Sequence, residues 1–154
     1  MIVRHAKSDW SEDVPDAERP LAGRGRREAP AIGRWLRAHV GAIDLVVRSP
    51  AVRVRQTWEL AVAELDAAPR VIDDERVYAA TADDLLTVVR ALPDDTSTVV
   101  LVGHNPGVQD LVTLLSGEPC ELKTSALAVL SRAGSWAGVG PGGAVLEAQA
   151  TPRK

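Results

Sequence analysis

The chain contains no phenylalanine, one tyrosine, one methionine and one cysteine in 154 residues. A core without Phe has to be packed from Val, Leu, Ile and Ala, which suit a sheet with helices laid on it. The lone Cys120 excludes an internal disulfide and leaves no cysteine cluster for zinc or iron–sulfur chemistry. No excess of either charge exists, since 18 Lys and Arg face 21 Asp and Glu for a net charge of −3. That balance argues against nucleic acid or an anionic membrane surface as partner. No apolar run approaches the ~20 residues of a membrane span. Charged residues follow too soon after Met1-Ile2-Val3 for a secretory signal. What is present is a 45% hydrophobic content, enough for one core, so the expectation is a cytoplasmic, monomeric single domain over residues 1–154.

Sequence punctuation alternates β and α. Ile2-Val3 is a strand stub, and residues 6–20, with Asp9, Glu12, Asp13, Pro15, Asp16, Glu18 and Pro20, read as a surface loop. The three- and four-residue steps of Ala29, Ile32, Trp35 and Leu36 predict a helix over 24–40, closed by Gly41. A strand over 43–47 breaks at Arg48-Ser49-Pro50, where the Ser hydroxyl and a first-turn proline predict the cap of a helix over 51–66. A short strand at 71–72, a helix over 81–91 and the clearest strand, 98–102, come next. After a helix over 108–115, two strands at 126–130 and 145–150 flank a glycine-rich loop, 134–143. Continuously apolar strands alternating with helices predict an α/β fold: one three-layer domain, a mostly parallel sheet covered on both faces, and an antiparallel edge.

In such a sheet ligands gather beyond the C-terminal strand ends. One strand ends in Arg4-His5, a second in Arg48-Ser49-Pro50 with Arg53 one helical turn on, and a third in Gly103-His104-Asn105. Two of three histidines therefore sit just past strand ends; His39, at a helix tail, is explained by the helix dipole. Two imidazoles and two guanidiniums make a pocket for a dianion. Arginine offers paired donors to phosphate oxygens, and a neutral imidazole can attack phosphorus and leave again. Taken singly, Arg4-His5 is better explained as a solvated strand end and His104 as a satisfied loop histidine; it is the set that points to a site. The Arg24-Gly25-Arg26-Arg27 run is read as the charged outer face of a helix, and Gly103 to Gly107 lacks the lysine and glycine spacing of nucleotide loops.

Val3-Arg4-His5-Ala6-Lys7-Ser8 resembles the Arg-His signature of the histidine phosphatase superfamily, and Ala-Lys-Ser followed by Asp9-Trp10 resembles its SixA-type phosphohistidine phosphatase branch. Residues 19–29, the segment Ser49 to Thr57, and Val102-Gly103-His104-Asn105-Pro106-Gly107 are similar to three further family segments in the same order. The resemblance implies a phosphoglycerate mutase-like fold and a two-step phosphoryl transfer that uses neither metal nor cofactor. It assigns His5 as nucleophile, with Arg4, Arg53 (rather than Arg48 or Arg55) and His104 holding the phosphoryl oxygens. Lys7, Ser8 and Asn105 are candidate substrate donors or ordinary loop residues. The branch implies a phosphorylated protein, such as a phosphotransfer domain, as substrate; the alternatives are a small phosphorylated metabolite, with a mutase the weaker form of that reading, or an idle phosphate-binding module. No family general-acid motif is found; Asp83 and Asp84 stand in a helix start that explains two acidic residues by itself. Substrate choice is expected to lie with the loops 10–20 and 136–142, and the pH dependence with a neutral His5 and a charged His104.

Overall fold

The computed structural model describes residues 1–153. Six strands form one sheet: β1 (Ile2–Arg4), β2 (Leu45–Arg48), β3 (Arg70–Asp73), β4 (Val99–Gly103), β5 (Leu127–Arg132) and β6 (Ala144–Ala150). The spatial order is β3-β2-β4-β1-β5-β6. β1 to β4 run parallel, and β5 and β6 add an antiparallel edge with a bulge at Val129/Leu130. The four longer helices are α1 (Gly23–His39), α2 (Val52–Val62), α3 (Ala82–Arg90) and α4 (Gly107–Ser116).

Strand alternation decides which helices cover which face. Val3, Val46, Val100 and Val102 point to one side and pack with Ile32 and Leu36 of α1 and Val54, Trp58 and Ala61 of α2. Ile2, Leu45, Val47, Val99 and Leu101 point to the other, against Leu85 and Val88 of α3 and Val108, Leu111 and Val112 of α4. Aliphatic side chains thus fill both layers, and each fully buried Val or Leu contributes about 1.5–3 kcal/mol. Trp58, 1% exposed, is the single large aromatic in the middle of that packing. Gly33 allows α1 and α2 to touch: a Cβ there would lie 1.9 Å from the Ala61 carbonyl oxygen. Among the described residues no helix is long and apolar enough to cross a membrane.

The predicted elements are found, with shifts at their ends. The second helix stops at Val62 rather than 66 and begins at Val52 with Ala51 as its N-cap. Ser49 does not cap it. Its hydroxyl accepts instead from the Ala51 N–H at 3.2 Å in a local turn, and the fully buried side chain is turned toward the strand ends. Thr81 and Asp84 do form a reciprocal capping box on α3.

Candidate active site

Register in the sheet brings the site together. β1 and β4 are parallel neighbours with Arg4 opposite Gly103, so the next residues on each strand, His5 and His104, emerge side by side. Their ring centroids are 5.3 Å apart, edge to face. β2 lies against β4 with Arg48 opposite Val102, which places the turn after it, and hence Arg53 in the first turn of α2, beside His104. One Arg53 NH2 lies 3.2 Å from His104 Nδ1. Arg4, half-buried, donates from NH1 to the Leu122 carbonyl at 3.0 Å. His5, His104 and Arg53, separated by up to ninety-nine positions, meet at one point, with Arg4 beside His5 at the end of β1 and its charge felt by the His5 ring. Arg48 is elsewhere, paired with Asp73 at 2.5 Å, and Arg55 donates to the Pro50 carbonyl.

Hydrogen bonds fix both tautomers. His5 Nδ1 is 2.7 Å from the Ala6 carbonyl, which only accepts, so Nδ1 carries the proton and Nε2 keeps its lone pair. A guanidinium only donates, so His104 Nδ1 accepts from Arg53 and its Nε2–H donates to Ser49 Oγ at 2.8 Å. Ser49 therefore orients an imidazole, a duty its position before a proline did not signal. The backbone around His5 is pinned as well: its N–H donates to the Gly103 carbonyl, and the Ala6 N–H donates to Thr57 Oγ1 at 3.0 Å, whose own hydroxyl bonds the Arg53 carbonyl. Gly25 lets α1 close on the same turn, since a Cβ would sit 2.2 Å from the Lys7 carbonyl oxygen.

The interior is strongly biased toward neutral imidazoles. Burial pushes His5 down to about 3, opposed by its bond to Ala6 and reinforced by His104, Arg53 and Arg4. Burial, then Arg53, lowers His104 to about 4, with Asp16 acting the other way. The charged His104 expected from sequence is therefore not the state of the free site; a second charge of opposite sign is needed to hold its proton. Imidazole NMR titration is expected to show both rings neutral from pH 8 to 5, and a midpoint near the ordinary ~6.5 for either ring contradicts this geometry. The sign for folding follows: between ~6.5 and these lowered values the unfolded chain binds more protons, so stability falls as pH drops through that window.

Both arginines leave Nε without a hydrogen-bond partner, and Arg53 is only 5% exposed. Orphaned buried donors beside two imidazoles are what oxygens of an anion satisfy. No group of three or more His, Cys, Asp or Glu able to hold a metal occurs among the described residues.

Lys7 is exposed and contributes its main chain to the site wall, its carbonyl accepting from the Ala22 N–H. Ser8 is buried and its hydroxyl accepts from Arg19 NH1 at 2.9 Å. Asn105 spends both amide hydrogens on structure, donating to Gln109 Oε1 and to the Leu122 carbonyl, which leaves an acceptor rather than a donor for an anion. Asp84 is used by the α3 cap, and Asp83 is exposed at the same helix start.

Beside Ser49, three further residues reach the site without a distinguishing signal in the sequence. Asp16, in a short 3-10 turn over 16–18, accepts through Oδ2 from Arg53 NH2 at 3.0 Å and from the Tyr78 hydroxyl at 2.5 Å. Its Oδ1 accepts from Arg19 Nε at 3.1 Å, and its carbonyl from Arg53 NH1 at 2.7 Å. Tyr78 also meets His104 edge-on at 5.4 Å. Arg19 is 6% exposed, with Trp10, 72% exposed, stacked on it at 3.4 Å. The loop 136–142 is not at this rim. Trp136 Nε1 donates to the Thr96 carbonyl ahead of β4, and Arg90 at the end of α3 donates to the Val139 carbonyl, both at the opposite end of the sheet. The segment between β3 and α3, carrying Tyr78, takes the place assigned to that loop.

A sequence profile described as the histidine phosphatase superfamily (branch 1) matches residues 1–77, and a Mycobacterium tuberculosis protein, Rv1276c, is 40% identical over 162 residues, 98% of this chain and 100% of that one. The chain belongs to the histidine phosphatase superfamily. Among solved structures, this histidine phosphatase chain is similar to a Nakamurella multipartitia protein assigned as the phosphohistidine phosphatase SixA: TM-score 0.87, 33% identity, 98% of this chain and 95% of that one. It is also similar to a protein histidine phosphatase SixA complexed with tungstate: TM-score 0.84, 25% identity, 98% and 95% of the two chains.

Proposed function

We propose that the protein removes the phosphoryl group from phosphohistidine on a partner protein, such as a phosphotransfer domain, through a covalent phospho-His5 intermediate. The observation that carries this reading is the protonation pattern around Arg53. His5 presents an unprotonated Nε2, while the carboxyl that reaches the pocket, Asp16, is held far below the usual carboxylate range by Tyr78, Arg53 and Arg19. A site with a ready nucleophile and an ionised carboxylate is poorly equipped to protonate a departing alkoxide. A phosphoramidate does not ask for that. Its imidazole, protonated on the nitrogen away from phosphorus, leaves as a neutral ring.

In the first step the Nε2 lone pair of His5 forms the N–P bond as the substrate's N–P bond breaks. Arg4 and Arg53 hold non-bridging oxygens, and the dianion raises the proton affinity of His104, which then takes a proton from solvent at Nδ1 in place of the bond from Arg53 and donates it to the third oxygen. In the second step water attacks phosphorus, the His5–P bond breaks with its electrons returning to Nε2, and dihydrogen phosphate leaves. Positioning and charge stabilisation supply the acceleration, as is general for phosphoryl transfer. The similarity to SixA structures, one of them holding a tungstate oxyanion, supports the same reading.

The test is turnover, with chelator present, of a phosphohistidine protein beside a panel of sugar and nucleotide phosphates and an aryl phosphate. Phosphate release from phosphohistidine far above every ester is expected. Efficient hydrolysis of one small ester overturns the substrate assignment, and no release anywhere makes the site an idle phosphate-binding module.

A further inference from the structure

The free site is not an open cradle, because Arg53 is already occupied. Its NH1 donates to the Asp16 carbonyl at 2.7 Å and its NH2 to Asp16 Oδ2 at 3.0 Å, the same NH2 that faces His104. Asp16 is anchored by Tyr78 and Arg19 rather than by Arg53 alone, and it belongs to the 3-10 turn of the acidic loop rather than to the sheet. Its side chain is 48% exposed, so the ion pair has water on one side and a buried guanidinium, 6% exposed, on the other.

We infer that Asp16 is a built-in competitor for Arg53, whose carboxylate must share or yield that guanidinium when a phosphoryl group enters, and which thereby weakens the hold on inorganic phosphate and hastens its release. The inference rests on the proposed phosphoryl pocket. A phosphoryl oxygen accepting from Arg53 NH2 lies within two hydrogen-bond lengths of Asp16 Oδ2, and two anions at that separation repel. Asp16 cannot relieve the repulsion by taking a proton, since Tyr78 and two arginines all favour its charged form. The competition falls on tight oxyanion binding in general, product included. Asp16 is thus a positioning residue that tunes Arg53, and its carboxylate is not assigned a proton transfer.

Asp16→Asn keeps the oxygen that Tyr78 and Arg53 bond, removes the charge, and gives up the second oxygen, which accepts from Arg19 Nε. Isothermal titration of the full chain with inorganic phosphate, and separately with tungstate, is expected to show about tenfold tighter binding for the variant, the size of one partly screened like-charge contact. The product-inhibition constant for phosphate falls in step. If Asp16 merely held Arg53 in place, loosening it would weaken binding, so equal or weaker affinity in Asp16→Asn sinks this inference while leaving the pocket assignment intact. A wild-type protein that binds neither oxyanion at millimolar concentration overturns the pocket reading and this inference with it. Asp16→Glu, which retains the charge, is expected to show no such tightening; tightening there equal to that of Asn would assign the effect to loop packing instead of charge and overturn the proposal.

Discussion

His5→Ala is expected to lose turnover of phosphohistidine by on the order of 10⁴-fold or more, the scale of deleting a nucleophile that acts within a coupled site. The reason is specific to the geometry. His104 is the other imidazole within reach, but its Nε2 carries a proton given to Ser49 and its Nδ1 accepts from Arg53, so no second unprotonated nitrogen is free to take over. Quenching the wild-type protein in denaturant with labelled substrate should trap a protein-bound phosphoryl group that is stable to base and lost in acid. The alanine variant should trap none. A thermal melt close to wild type is part of the measurement, since His5 is 7% exposed and its ring bonds the Ala6 carbonyl. Folded His5→Ala protein that turns over near the wild-type rate would exclude the covalent route.

Local rules carried the fold. Period-two and period-3.6 patterns depend on residues close in sequence, and the same patterns are what the two faces of the sheet select. The C-terminal ends of β1, β2 and β4 could likewise be recognised as the place for Arg4, His5, Arg53 and His104, because parallel α/β topology sends those ends to one crevice. What could not be read was the long-range polar wiring. Ser49 before Pro50 has the chemistry of a helix cap, and only the arrival of β4 next to β2 turns its hydroxyl to His104. Asp16 looks like one more solvated acid in an acidic loop; its role appears once Tyr78, sixty-two positions away, closes over it. Trp136 lies at the end of the sheet opposite to the expected one for a similar reason. An antiparallel hairpin connection can fall at either end, and the Thr96 carbonyl that receives the indole is forty residues distant. The one available signal for Asp16 was its spacing of three from Arg19, which is also the spacing of an ordinary surface ion pair.

Arg53→Ala is expected to act in the direction opposite to Asp16→Asn, lowering phosphate affinity and kcat together and kcat/KM by at least ~100-fold, a typical loss for one charge-stabilising donor. Among the described residues only Arg53 bonds both Asp16 and His104, so its removal leaves the Asp16 carboxylate at the pocket with Arg19 and Tyr78 alone as partners, and an imidazole Nδ1 without its donor. Arg53→Lys should recover little, because an ammonium cannot reproduce two coplanar donors directed at separate acceptors. Arg55→Ala, whose half-buried side chain serves the Pro50 carbonyl away from His5 and His104, should stay within about twofold of wild type. A spectroscopic readout separates electrostatics from simple misfolding. Arg53 stands second only to burial in depressing His104, so taking its charge away should move the His104 titration upward toward the ordinary imidazole range. An Arg53→Ala protein within tenfold of wild-type kcat/KM, or a His104 titration that does not rise, would mean that Arg53 is a structural tie for the acidic loop and that phosphoryl oxygens are held by other groups.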